Sequence, residues 1–178
     1  MTVQFSDIEE DFGELRGFIL NDVDRIVSME IGGNYAAAAL IACAYEALAQ
    51  LRGVAKHGVF AENLPTEWLP VAQSLYDALR NGIVHGYATK AIVIDGRQVE
   101  IGVSWREQQH LSLDRVHRIV FLNVAAMADH LRHAFEHYEA LLRSDTEARE
   151  RFVRQRRRGR DVSPRGDELA AWKVLLDG

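Results

Sequence analysis

From Asp7 to about Val27 the apolar residues Ile8, Phe12, Leu15, Ile19, Val23 and Ile26 recur at steps of three and four. That spacing predicts an amphipathic helix with one face turned inward. Gly32-Gly33-Asn34 interrupts, and 35–51 then runs almost without polar residues, five of its first eight being Ala. A helix apolar nearly all round is a central one, and its Ala side chains let neighbours come close. Residues 53–65 read as a loop. Thr66 suits the cap of a third helix with Pro70 near its first turn, a stripe of Leu69, Ala72, Leu75, Tyr76, Leu79 and Ile83, and Gly86 to end it.

The period then changes. Ala91-Ile92-Val93-Ile94, Asp95-Gly96 and 97–103 form a hairpin signature, since Asp-Gly supplies the positive φ values that a two-residue turn requires. In 114–143, Val116, Val120, Val124, Met127, Leu131, Ala134, Tyr138 and Leu141 again recur at three and four. They predict one helix of about 30 residues, some 45 Å long. Beyond Ser144 the pattern dissolves into Arg residues, Ser163-Pro164 marks a break, and Asp167 to Leu176 offers one short last helix. The expected fold class is therefore all-α: an antiparallel helical bundle with one β-hairpin, at about 90–104, inserted after the third helix. Residues 1–144 are expected to form this domain and 145–178 an Arg-rich helical appendage.

Composition narrows the setting. The 178 residues are 48% hydrophobic with one cysteine, Cys43, which excludes a disulfide framework and reads as an inert core thiol. No stretch approaches the roughly 18 apolar residues of a membrane span and the N-terminus lacks a signal-peptide pattern, so a cytoplasmic protein is expected. The net charge is −5, but it is uneven: residues 1–148 hold 12 Lys and Arg against 21 Asp and Glu, or −9, and 149–178 hold 9 against 5, or +4. An acidic body repels phosphate. Any RNA must be met at a local cationic site, of which the Arg-rich segment with Arg154, Arg156, Arg157 and Arg158 is one candidate, a partner-docking helix or a plain solvated run being the alternatives.

The other candidate closes the third helix. In Leu79-Arg80-Asn81-Gly82-Ile83-Val84-His85-Gly86-Tyr87 three polar residues and a glycine break an apolar stripe, and local rules broken together often mark a site. Asn81 and His85 are four apart and share a face, and the long Arg80 side chain reaches the same turn. A histidine can take a proton from a ribose 2′-OH or give one to a leaving 5′-oxygen, and Arg can stabilise charge on the phosphoryl oxygens. One His cannot do both at once, whereas a two-fold dimer would present two. The structural alternative is that Arg80 pairs with Asp77 or Glu46, Asn81 and His85 cap the helix end, and Tyr87 packs.

Arg80 and Asn81 followed by His85 resemble the Arg-x4-His hallmark of HEPN domains, set after an Ala-rich helix carrying the acid Glu46. Tyr87, two after His85, is similar to the His-x-Tyr extension of HEPN toxins paired with nucleotidyltransferase antitoxins. The resemblance implies a HEPN-like helical bundle, homodimerisation through the motif helices, and metal-independent RNA cleavage leaving a 2′,3′-cyclic phosphate, with Arg80, Asn81 and His85 catalytic. Glu46 and Tyr87 would support them, Glu46 as partner of Arg80. The alternative within the same resemblance is a non-catalytic module that binds RNA or a protein. No cofactor or metal is expected. His133-Ala134-Phe135-Glu136-His137, with His130 nearby, has the His-x-x-Glu-His spacing of inverted zinc peptidases, but those take a further ligand from far downstream and only 41 residues follow, so it reads as coincidence on an exposed face or adventitious metal binding. His110 and His117 read as surface residues.

Overall fold

A computed structural model describes residues 2–29, 32–86, 88–105 and 109–158, with Glu168, Val174 and Leu175. Of Val84, His85, Gly86 and Arg158 it describes only the backbone. Helix α1 (Glu9–Val27) opens on Glu9, Glu10 and Asp11, acids that favour a helix N-terminus, and buries Phe12 and Val23. Helix α2 (Asn34–Arg52) is the centre of the fold: Ala37, Ala38, Ile41, Ala42, Tyr45, Leu48 and Ala49 are buried, and α1 lies along it. The short α3 (Gly58–Ala61) follows within the segment expected to be loop. The expected third helix divides in two, because Pro70 sits in a 3-10 turn (Thr66–Val71) and the α-helix proper, α4, is Ala72–Gly86.

The all-α expectation is overturned by a four-stranded mixed sheet. Strands β1 (Ile92–Ile94) and β2 (Arg97–Ser104) make the hairpin, with Asp95 at φ 50 and Gly96 at φ 73 in its turn. Two further strands, β3 (Ser112–Asp114) and β4 (Ile119–Asn123), give the order β1-β2-β4-β3. Strand β4 runs parallel to β2, from Glu100 opposite Ile119 to Ser104 opposite Asn123, and antiparallel to β3. The long helix expected over 114–143 consequently loses its first ten residues to a hairpin, and α5 spans Val124–Ser144. The reason is local. Ile119-Val120-Phe121-Leu122 is a β-branched and aromatic run whose Val120 and Leu122 bury on the same face as Ile101, while Val116 stands 85% exposed in the turn. Asn123 ends the strand and caps α5, its Oδ1 accepting the Ala126 N–H at 3.0 Å.

Helix α6 (Thr146–Arg158) begins at Asp145, whose Oδ1 accepts the N–H of Glu147 at 2.8 Å, and it too packs on α2. Phe152 is fully buried, edge-on to Phe12 with ring centroids 6.2 Å apart and close to Tyr138. Arg149, only 7% exposed, donates to the carbonyls of Val3 (2.7 Å) and Leu142 (2.8 Å) and to Thr146 Oγ1 (2.7 Å). Arg151 donates to the Arg52 carbonyl and to Glu147. The first arginines of the basic run thus join the chain's beginning to the α5–α6 corner. Nearly all of the segment expected to form a last helix, 167–176, lies outside the described residues. Among the described residues no helix is long and apolar enough to cross a membrane.

Candidate functional site

The motif helix α4 is held to α2 by contacts that advance together. The Tyr76 hydroxyl donates to the Ala42 carbonyl at 3.0 Å. One helical turn further on in each helix, Arg80 Nε donates to Glu46 Oε2 at 2.9 Å. The second carboxylate oxygen, Oε1, lies 3.2 Å from Lys56 Nζ, which comes from the loop after α2. Burial alone would raise the Glu46 carboxyl, but the Lys56 bond and the Arg80 charge outweigh it and hold the group below the usual carboxylate range. Arg80 Nη1 donates to Asn81 Oδ1 at 3.2 Å. The side chains of Arg80 and Glu46 are 25% and 23% exposed, so the pair is screened from most of the solvent yet reachable.

Sequence reasoning thus named three of the residues that meet here, Glu46, Arg80 and Asn81. His85 lies in the last turn of α4, four residues after Asn81, and its side chain is outside what is described; Tyr87 lies outside the described residues. Lys56 was missed. The chain holds only three lysines, Lys56, Lys90 and Lys173, and the signal was a lone cation in an otherwise unremarked loop.

Gly82 has a different cause from the one inferred. After α4 the chain doubles back over it: Lys90 N–H donates to the Ala78 carbonyl at 3.0 Å, and Thr89 Oγ1 to the Ile101 carbonyl at 2.5 Å. A Cβ on residue 82 would sit 2.4 Å from the Ala88 carbonyl oxygen and 2.5 Å from Lys90 N. Glycine is needed for this crossing, on the side of α4 roughly opposite Arg80.

The remaining candidates separate. Cys43 is exposed, not in the core, three residues before Glu46 on α2. Arg154 and Arg157, three apart on α6, are exposed, and Arg158 has no described side chain. Arg156 turns to a cavity of 460 Å³ that Asp7, Asp11 and Phe152 also line. His133 and His137 open on a groove with Glu62 and Asn63, but both oxygens of Glu62 are held by Arg52 at 2.6 and 2.7 Å. Among the described residues no group of three metal-ligating side chains is close enough to hold an ion. His110 is no surface residue: its Nδ1 accepts the Asn123 N–H at 3.1 Å and its ring stands edge-on to His130, centroids 5.2 Å apart. His117 is exposed and bonded to Asp114 at 2.8 Å. No protein family, curated protein or solved structure matches the chain.

Proposed function

We propose that the chain is a HEPN-type, metal-independent RNA endonuclease of the cytoplasm, working as a homodimer. The observation that carries the reading is the α2–α4 constellation: a permanent guanidinium, Arg80, fixed by Glu46 and bonded to Asn81, one turn before His85. In the proposed reaction the ribose 2′-oxygen attacks the adjacent phosphorus and gives up its proton to one His85. The 5′-oxygen leaves with a proton from the second copy's His85, so the products are a 2′,3′-cyclic phosphate and a 5′-hydroxyl. Arg80 stabilises charge on the non-bridging oxygens, Asn81 orients His85 or the phosphate, and Glu46 holds Arg80 in place. The exposed Arg154 and Arg157 would add phosphate contacts away from the cut. A nucleotidyltransferase-type antitoxin, modifying Tyr87, is the protein partner that goes with a toxin role.

The deciding assay is cleavage of RNA by the purified protein in chelator, with the 2′,3′-cyclic end identified. His85→Ala and Arg80→Ala are expected to abolish it. No cleavage by the wild type, or equal cleavage by His85→Ala, overturns the reading. A second reading, a non-catalytic HEPN-like module that binds RNA or protein, is favoured by one observation: Arg80 already has structural partners in Glu46 and Asn81. For that module both variants leave the chain inert in the assay and alter only binding.

A further inference from the structure

We infer that Lys56 is a phosphate-binding residue of this site, contacting the backbone of single-stranded RNA beside the phosphate that Arg80 holds. The inference rests on the endonuclease reading and adds to it a residue outside the motif. Glu46 offers one oxygen to Arg80 and the other to Lys56, so two cations flank a single carboxylate. They can be no further apart than two polar contacts and the width of that carboxylate. Arg80 is mostly buried on a helix, whereas the Lys56 side chain is 78% exposed on a loop.

The Lys56 ammonium is the solvent-facing partner of this pair and is held only weakly, because water competes for it and the long side chain loses freedom on pairing. Lys56 therefore exchanges partners readily. A phosphate brought to Arg80 presents its anionic neighbour to an ammonium that is already nearby, and a charge-assisted bond to phosphate replaces the one to Glu46. The acidic body sharpens the point: residues 1–148 carry −9 and only two lysines, so a chain of phosphates gains little from long-range attraction and must be met by specific cations. In the unliganded protein Glu46 holds both cations; RNA phosphate takes Lys56 from its Oε1, while Oε2 keeps Arg80 in place.

The test measures binding and cleavage by the full chain side by side. Binding uses a fluorescently labelled, fully 2′-O-methylated single-stranded oligonucleotide, which cannot be cut, across a salt series. Lys56→Ala is expected to weaken binding several-fold and to lower the slope of log Kd against log salt by about 0.7, the value of one phosphate contact on a single strand. Lys56→Arg restores both. With cleavable RNA, Lys56→Ala raises KM several-fold and leaves kcat nearly unchanged, and its thermal midpoint stays with the wild type. If Lys56→Ala keeps affinity, slope and KM while the wild type cleaves, the Lys56 inference fails and the endonuclease reading stands. If no variant or wild type cleaves but the slope still falls, the endonuclease reading fails and Lys56 remains an RNA contact.

Discussion

Replacing Gly82 with Ala opposes two physical effects whose sum has a definite sign. In an isolated helix the change would stabilise by about 1 kcal/mol, because glycine pays the larger backbone entropy. Here the new methyl would meet the Ala88 carbonyl oxygen at 2.4 Å, Lys90 N at 2.5 Å and the Thr89 carbonyl carbon at 2.7 Å, all of them backbone atoms that cannot swing aside. The crossing chain must lift, straining the bonds from Lys90 to Ala78 and from Thr89 to Ile101. Overpacking costs about 1–3 kcal/mol and each weakened hydrogen bond about 1, so the net destabilisation is about 2–4 kcal/mol. For a chain of this length that corresponds to a fall in Tm of roughly 5–15 °C. The controls are Gly13 and Gly17 of α1, around which no heavy atom lies within 4 Å of a new Cβ. Alanine at either is expected to raise stability by about 0.5–1 kcal/mol. Thermal and urea unfolding followed by circular dichroism reads all three. A Gly82→Ala protein as stable as the wild type, or more so, refutes the account of the crossing.

Acid should loosen the fold before its carboxylates titrate. Burial, and then the neighbouring His130, lower His110 from 6.5 to about 4, and His130 is lowered by burial and by His133 against the opposing charge of Asp129. A histidine depressed in the folded state binds fewer protons there than when unfolded, so its contribution is complete above pH 6.5 and is lost as pH falls towards 4, by up to about 3 kcal/mol for His110. Urea midpoints between pH 7 and 4.5 check this, with His110→Gln expected to flatten most of the decline. Arg149→Ala strands the carbonyls of Val3 and Leu142 and is expected to cost about 3 kcal/mol, with little recovery by Lys, which lacks the planar fork. Denaturant titration of both variants reads the difference.

Where neighbours in sequence are also neighbours in space, the chain was readable. The stripe Ile8, Phe12, Leu15 and Ile19, the Ala-rich 35–51 and the Asp95-Gly96 turn each carry their own local cause, and α1, α2 and the first hairpin form where those causes point. Strand β4 carries a local cause in the β-branched run 119–122, but nothing local marks where β3 and β4 turn. Their turn is made by Arg118 at φ 56, and Leu111 before β3 is at φ 60, so the positions that ordinarily show glycine or asparagine show neither. The Val116, Val120, Val124 spacing imitates a helix because the strand and the helix that follows it happen to be in phase, while the parallel pairing of β4 with β2 is a non-local contact that no window contains. The site divides along the same line. Arg80, Asn81 and Glu46 stood out through helical spacing and composition, but Lys56 joins them only through a loop that returns to α2, and the packing cause of Gly82 lay in residues 88–90.

The contact between Phe12 and Phe152 has a consequence for synthesis. Residue 152 leaves the ribosome 140 residues after residue 12, and at about 5–20 residues per second that interval is on the order of ten seconds. Throughout it the apolar face of α1 lacks the ring that finally covers it, and the Tyr138 ring joins only shortly before α6 emerges. The aromatic cover of α1 is therefore completed late in synthesis.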